Sequence, residues 1–225
     1  MSINVLRSFN RLQRNTQQLR NISSFIGGGD EAQRCSTSRI LPYESKELYK
    51  VIADIDNYSN FVPFCNHSLV TKRYPPDSLG VKWPAEADLS IGWMKIEEKF
   101  TSRIYCVPGS IVEALSGEAV TSLPKDMLLK SSSVIHSPAL PNSLFKYLRS
   151  KWIIKPLSNN LTITDDKDFT RQLPSIKFQT QVDLILDFQF SNQLYTALSK
   201  AVTPKIVGSM IEAFEARAHD CIRHK

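Results

Sequence analysis

The chain has 225 residues, 42% of them hydrophobic and 22% charged, with 28 Lys and Arg against 22 Asp and Glu for a formal charge of +6. That length suits one domain plus a tail, and a mean hydropathy of -0.22 excludes a disordered or collagen-like polymer. The longest uninterrupted apolar run is four residues, Ile104 to Val107, so a transmembrane helix is also excluded.

An excess of +6 invites a nucleic-acid partner only if the cations cluster where phosphates could meet them. They cluster at the N-terminus. Residues 1–29 hold Arg7, Arg11, Arg14 and Arg20 with no acid, leaving 24 basic and 22 acidic side chains in the other 196 residues. Val5, Phe9 and Leu12 recur at i, i+4 and i+7, and Arg7, Arg11 and Arg14 follow the same spacing two residues later. On a helix that offset is about 200°, which puts the arginines opposite the apolar stripe. An acid-free, Arg- and Ser-bearing amphipathic start is the pattern of a mitochondrial transit peptide, assigned to residues 1–34; an ordinary surface helix and a basic nucleic-acid arm are the alternatives. Gly27-Gly28-Gly29 and Cys35–Ser38 suit an unfolded, cleavable junction. Cys35, Cys65, Cys106 and Cys221 form no C-x-x-C pair, and the four histidines are scattered, so no metal site is expected.

From residue 35 onward the periodicities predict an α+β domain. Arg39–Pro42 is a short extended entry. Ser45 is placed to cap a helix of about ten residues, with Leu48, Val51, Ile52 and Ile55 on one face. Tyr58–Val62 forms a second helical turn halted by Pro63. Strands follow at Cys65–Tyr74, Ala85–Ile91 with a turn at Gly92, Met94–Cys106, Ser110–Ser116 and Leu144–Ile154. Ile176–Phe190 alternates for fifteen residues, which puts one face on a core and the other in water. Leu194, Leu198, Val202, Ile206, Met210, Phe214, Ala218 and Ile222 define a closing helix, flanked by Val207 and Ile211, with Pro204 expected to kink or divide it. Glu118–Ser143 and Ser158–Ser175 are rich in Ser, Pro, Asn and Asp. Loops this long are either functional or mobile, and we read them as mobile insertions.

The run Ala53-Asp54-Ile55-Asp56-Asn57-Tyr58-Ser59-Asn60-Phe61-Val62-Pro63-Phe64-Cys65 resembles the signature of the mitochondrial coenzyme Q-binding (Coq10) family of the START-like, polyketide-cyclase-related superfamily. Further fragments follow in order: Arg39-Ile40-Leu41, Leu89 to Trp93, Glu98 to Ile104, Leu144-Phe145 with Leu148 and Trp152, and Ala213 to Ala218. The resemblance spans roughly residues 36–222, and the chain departs from it at the insertions, about 118–143 and 158–175. It implies a helix-grip fold for residues 35–225: a curved antiparallel sheet around the long C-terminal helix, with an apolar cavity between them. In that family the cavity holds ubiquinone, and the protein supports respiration and quinone supply at the inner membrane without being an enzyme.

An isoprenoid quinone needs a long apolar tunnel and a few polar groups for its head. On that implied fold the cavity candidates are Phe61, Phe64, Leu89, Ile91, Ile96, Glu98, Phe100, Trp152, Val182, Leu184, Phe188, Met210 and Phe214. Glu98 stands out because it falls on the apolar face of its strand. A carboxyl there is either hydrogen-bonded to a quinone oxygen or paired with a cation such as Arg149 or Lys151. Trp93 and Met94, at the expected hairpin tip, either pack under a loop or enter a bilayer surface, with Lys95, Lys72 and Arg73 meeting anionic lipid. The expected partners are therefore ubiquinone and related isoprenoid lipids, the matrix-side surface of the mitochondrial inner membrane, and respiratory or quinone-synthesis complexes, with no nucleic acid. No catalytic residue and no catalytic cofactor is assigned. Two other classes are weighed: a cyclase or aromatase, which requires His, Asp or Tyr converging as acid and base, and a ribosome- or RNA-associated module, which requires a basic stripe with aromatics.

Overall fold

A computed structural model describes residues 23–25, 32–93, 96–128, 145–157, 178–192 and 203–223. Its strands are β1 (Ser23–Phe25), β2 (Gln33–Leu41), β3 (Cys65–Arg73), β4 (Pro84–Trp93), β5 (Ile96–Val107), β6 (Ile111–Gly117), β7 (Phe145–Pro156) and β8 (Thr180–Phe190); its helices are α1 (Ser45–Ala53) and α2 (Thr203–Arg223). All pairings are antiparallel, in the order β1-β2-β8-β7-β6-β5-β4-β3. Strands β3 to β8 are sheet neighbours in chain order, while β2 crosses over to pair with β8. The fold class is the expected one, a curved antiparallel sheet with a C-terminal helix.

β8 forms because its alternation is satisfied on both sides. Thr180, Val182, Leu184, Leu186 and Phe188 are all buried on the inner face. Phe178 has the same parity but is 43% exposed, because the strand begins two residues later at Thr180. The partner strand β2 is longer than its apolar content suggests. Cys35–Ser38, read above as unfolded junction, is central to it: Cys35 and Thr37 point into the core, and the outward Ser38 hydroxyl donates to Asp183 at 2.6 Å. Hydroxyl residues resemble a loop when read alone, but β8 supplies their hydrogen-bond partners. β1, which lies inside the stretch assigned to a transit peptide, pairs with β2 from Ser23 opposite Ser36 to Phe25 opposite Arg34.

The helical elements shift slightly from expectation. Ser45 is the first residue of α1 rather than its cap; Glu44 precedes it in extended backbone with no side-chain cap bond. The following 3-10 turn covers Ile55–Asn60, three residues before the predicted start. In α2, Pro204 is the second residue, where its missing N–H leaves no helical bond unmade, so it neither kinks nor divides the described helix. Residues 193–202 of the predicted helix lie outside the described residues. The buried stripe is Val207, Ile211, Phe214 and Ala218, with Met210 and Ile222 half-buried at its border. α1 and α2 meet over the inner face of the sheet, and their apolar sides join Ile104, Cys106, Val112, Trp152, Ile154, Val182 and Leu184 in one core.

Gly92 is not the hairpin turn. It lies inside β4 opposite Glu97, and the last pair is Trp93 with Ile96, so residues 94–95 make the connection. The glycine allows a close approach instead: a Cβ there would fall 2.2 Å from the amide nitrogen of the exposed Asn66 side chain on β3, which would have to swing aside. Nor is the first insertion a loose appendage where it is described. Ala119 and Leu123 fold back onto Tyr105 and Leu115, covering the outer face. The fully buried Glu113 carboxylate holds them there, accepting from the Thr121 hydroxyl at 2.5 Å and the Ser122 hydroxyl at 2.6 Å. Residues 129–143 of that insertion, and the insertion at 158–175, lie outside the described residues.

The outer face carries a second buried carboxylate. Asp187 accepts from Arg34 of β2 at 2.6 Å and from Arg149 of β7 at 2.5 Å, which ties three strands together. Burial pushes its carboxyl up, but the two guanidinium groups outweigh that and hold it below its ordinary value. A carboxyl depressed in the folded state stabilises the protein above the unfolded value of about 4, and that contribution is lost as pH falls through the lower folded value. Asp187→Asn should therefore lower stability at pH 7 by about 2 kcal/mol and flatten the acid limb of the stability curve below about pH 4, measured by urea melts across pH.

Candidate functional site

The segment between α1 and β3 works as a brace. Asp56 accepts the Val70 backbone N–H at 2.6 Å through Oδ1 and pairs with Arg73 through Oδ2. Ser68 of β3 takes the Ser59 N–H at 2.9 Å and donates to the Asp56 carbonyl at 3.2 Å. The Tyr58 hydroxyl donates to the Ile52 carbonyl, and Asn57 donates to Asp54 at 2.8 Å. These bonds fix the 3-10 turn to β3 and so aim Tyr58 and Phe61 at α2.

There they build the first of two aromatic groups on the inner face. The Phe214 ring lies 4.5 Å from Trp152, 4.9 Å from Phe61 and 5.1 Å from Tyr58, between centroids, and the last two contacts are edge-to-face. The Arg217 guanidinium lies over the Phe61 ring, 5.6 Å from its centroid. Val182 and Leu184 are fully enclosed in the same core, and Leu89 and Met210 pack at its margin. Cys106 also belongs to it; burial pushes its thiol up to about 12, so it acts as apolar wall.

The second group stands at the end of the sheet where β4, β7 and β8 meet the β4–β5 hairpin. Phe145 lies 5.4 Å from Phe100 and 5.1 Å from Phe190, and Phe190 lies 5.4 Å from Phe188. Ile91 and Leu148 complete the cluster, and every member of it is a strand residue. Ile91, Phe100 and Phe188 are expected members. Phe145, Leu148 and Phe190 are not, because their position depends on the register of β7 against β8, where Phe145 opposes Phe190 and Leu148 opposes Phe188. Phe190's place in the β8 alternation is the local signal, and Phe145 and Leu148 stand out only through the family resemblance.

Glu98 is half-buried on this inner face, directly opposite Ile91. The cations proposed above as its partners are on the other side of the sheet: Arg149 is bound to Asp187, and the Lys151 ammonium donates to the Ser122 hydroxyl at 2.8 Å. Strand parity rules out that pairing. Phe64 is also misplaced as cavity lining. Its backbone is left-handed, with φ 65°, its carbonyl accepts the Gly92 N–H at 2.8 Å, and its ring is 43% exposed. The side chains of Trp93 and Ile96 and all of Met94 and Lys95 lie outside the described residues.

The membrane-contact group does not hold together. Lys72 pairs with Glu86 at 3.0 Å and Arg73 pairs with Asp56. In the β3–β4 register Lys72 opposes Glu86 and Arg73 opposes Pro84, whereas the hairpin follows Trp93 at the opposite end. Trp93 is seven positions along the strand from Glu86, roughly 23 Å. Among the described residues no cluster of His, Cys, Asp and Glu could hold a metal ion, and no helix is long and apolar enough to cross a membrane.

Comparison with known proteins gives this geometry a family. Residues 41–215 match the family described as polyketide cyclase / dehydrase and lipid transport. The chain is 28% identical over 198 residues to the mitochondrial coenzyme Q-binding protein COQ10 of Eremothecium gossypii, covering 88% of this chain and 78% of that one. It is 26% identical over 188 residues to the mitochondrial coenzyme Q-binding protein of Schizosaccharomyces pombe, covering 84% and 87%. Among solved structures, a START superfamily protein from Mycobacterium smegmatis superposes with a TM-score of 0.55 at 12% identity, over 84% of this chain and 98% of that one.

Two neighbouring phenylalanines should respond in opposite ways. Phe61→Ala removes a ring packed against Phe214 and Tyr58 and should cost about 2–4 kcal/mol. Phe64→Gly relieves a left-handed backbone and should be neutral or stabilising by up to ~1 kcal/mol, read by denaturant melts of the two variants.

Proposed function

Because the chain belongs to the polyketide cyclase / dehydrase and lipid transport family, we propose that its inner face binds ubiquinone and that it serves as a carrier or chaperone for that quinone rather than as an enzyme. The observation that carries this reading is the second aromatic cluster. Among the described residues Phe100, Phe145, Phe188 and Phe190 form an apolar cluster of strand side chains, Phe145 and Phe188 buried and Phe100 and Phe190 half-buried, with the Glu98 carboxyl on the same face. Such a surface suits an isoprenoid tail, and the relatives named as coenzyme Q-binding proteins support the same ligand.

Energetics argue for a membrane-docked mode of action. Each buried CH₂ is worth about 0.8 kcal/mol relative to water, so a tail of some 30 carbons faces roughly 20 kcal/mol on leaving lipid unassisted. Lipid is as apolar as the protein interior, so the tail alone gains nearly nothing on transfer. Discrimination falls to the head group and to shape, and loading requires contact with the bilayer. The reading therefore includes peripheral attachment to the matrix side of the mitochondrial inner membrane, with the Arg-bearing N-terminal segment as the address. The ion pair of Arg34 with Asp187 favours a boundary for that segment upstream of Gln33, slightly earlier than composition marks it.

The test is to express the chain in quinone-producing cells, extract the purified protein with organic solvent, and measure quinone uptake from liposomes. Ubiquinone should partition from the extract and transfer from the vesicles; an empty extract together with no uptake overturns the reading. Glu98→Leu and Glu98→Gln locate the head. If the carboxyl contacts it, the Leu variant should bind roughly tenfold more weakly while Gln keeps most of the affinity, and equal affinities would make Glu98 structural.

A further inference from the structure

The inner face is not covered evenly. Ala114 of β6 and Ser150 of β7 oppose each other on the two middle strands of the sheet, both on the inner face, yet both are only half-buried. Two residues away along the same strands Val112 and Trp152, again opposite each other, are sealed beneath the helices. In the other direction the next inward residue of β7 is Leu148, half-buried in the second aromatic cluster and opposite Phe188. A hollow with a floor of small side chains therefore runs from Trp152 to the phenylalanines.

This hollow also has donors without acceptors. The Ser102 and Ser116 hydroxyls meet at 2.7 Å on the same face, and neither residue is more than 2% exposed. Two hydroxyls carry two protons, and the bond between them uses one; among the described residues the other proton has no acceptor. Ser116 opposes Leu148 directly, and Ser102 stands two residues from Phe100, so the pair borders the second cluster. The Ser150 hydroxyl likewise has no partner among the described residues.

We infer that the quinone head group lies in this hollow, over Ala114 and Ser150 and against Trp152, with the Ser150 hydroxyl and the spare proton of the Ser102–Ser116 pair as its donors. The inference rests on the ubiquinone reading and adds to it the place and direction of the ligand. An oxidised quinone offers only acceptors, its carbonyl and methoxy oxygens, so its head needs hydroxyl or N–H donors. Ala and Ser leave depth for a flat ring that a larger side chain would fill. The tail then passes Leu148 and runs over the phenylalanines toward the β4–β5 hairpin. Glu98 stands toward that end, four positions from Ser102 on β5 and roughly 13 Å along the strand, beyond reach of the head.

Uptake from liposomes tests this with the full chain and its Ser150→Ala and Ala114→Leu variants, offered a short-tailed oxidised ubiquinone analogue or an oxygen-free isoprenoid of equal length. Ser150→Ala should take up the quinone roughly fivefold less well and Ala114→Leu at least roughly tenfold less well, while both take up the hydrocarbon as the parent does. Both ligand-free variants should melt within about 2 °C of the parent, because neither change meets packed atoms. A chain carrying Trp83→Phe and Trp93→Phe, in which Trp152 is the one tryptophan, should lose fluorescence as the quinone enters. Unchanged quinone uptake in either variant, a hydrocarbon loss equal to the quinone loss, or full quinone uptake without quenching of Trp152 overturns the inference and leaves the ubiquinone reading standing. An Ala114→Leu protein that melts well below the parent overturns it too, since the hollow would then be filled. A parent chain that takes up no quinone overturns the ubiquinone reading itself.

Discussion

β8 pairs with β2 on one side and β7 on the other, and the two-residue period of that central strand sorts the chemistry of the whole molecule. Its even residues line the space beneath α1 and α2; its odd residues face outward. Because both neighbours are held in register along its length, the sorting spreads outward. Trp152 and Leu148 fall inside because they oppose Leu184 and Phe188, and Arg149 falls outside because it opposes Asp187. A slip of one residue would put Asp183 and Asp187 into the apolar core and the phenylalanines into water. The ion pairs on the outer face and the apolar contacts on the inner face therefore enforce the same register.

The outer face is unusually well furnished for the side of a sheet turned away from its helices. Two buried carboxylates organise it. Asp187 gathers arginines from β2 and β7, and Glu113 gathers the hydroxyls of Thr121 and Ser122. The second arrangement lets the insertion after β6 close over Tyr105 and Leu115. Polar side chains dictate where that segment returns, and the apolar contacts beneath Leu123 are the consequence.

The inner face divides along its length. Towards α1 it is filled by the helices, with Phe214 wedged between Trp152 and the ring pair Tyr58 and Phe61. Towards the β4–β5 hairpin the apolar cluster is made, among the described residues, of strand side chains. A ligand that is mostly hydrocarbon gains little specificity from such a surface, since its tail is equally at home in lipid. Recognition of such a ligand therefore depends on polar groups rather than on the rings.

Much of this was legible from local pattern. The alternation of residues 176–190 gave the parity of Val182, Leu184 and Phe188, and the helical spacing near the C-terminus marked Met210 and Phe214, because each depends only on neighbours a few positions away. What failed had a non-local cause. Cys35–Ser38 is a strand because β8, some 145 positions distant, supplies its partners; Gly92 is a close approach to Asn66 and not a turn; Arg149 and Lys151 cannot reach Glu98 because pairing puts them through the sheet. Lys72 and Arg73 left the hairpin end for the same reason, and Phe145 and Phe190 met only when β7 and β8 came into register. The sequence by itself determined which residues share a face within each element, since that follows from the backbone period. Only the tertiary structure decided which faces confront each other, because strand register is set by contacts between segments far apart in the chain.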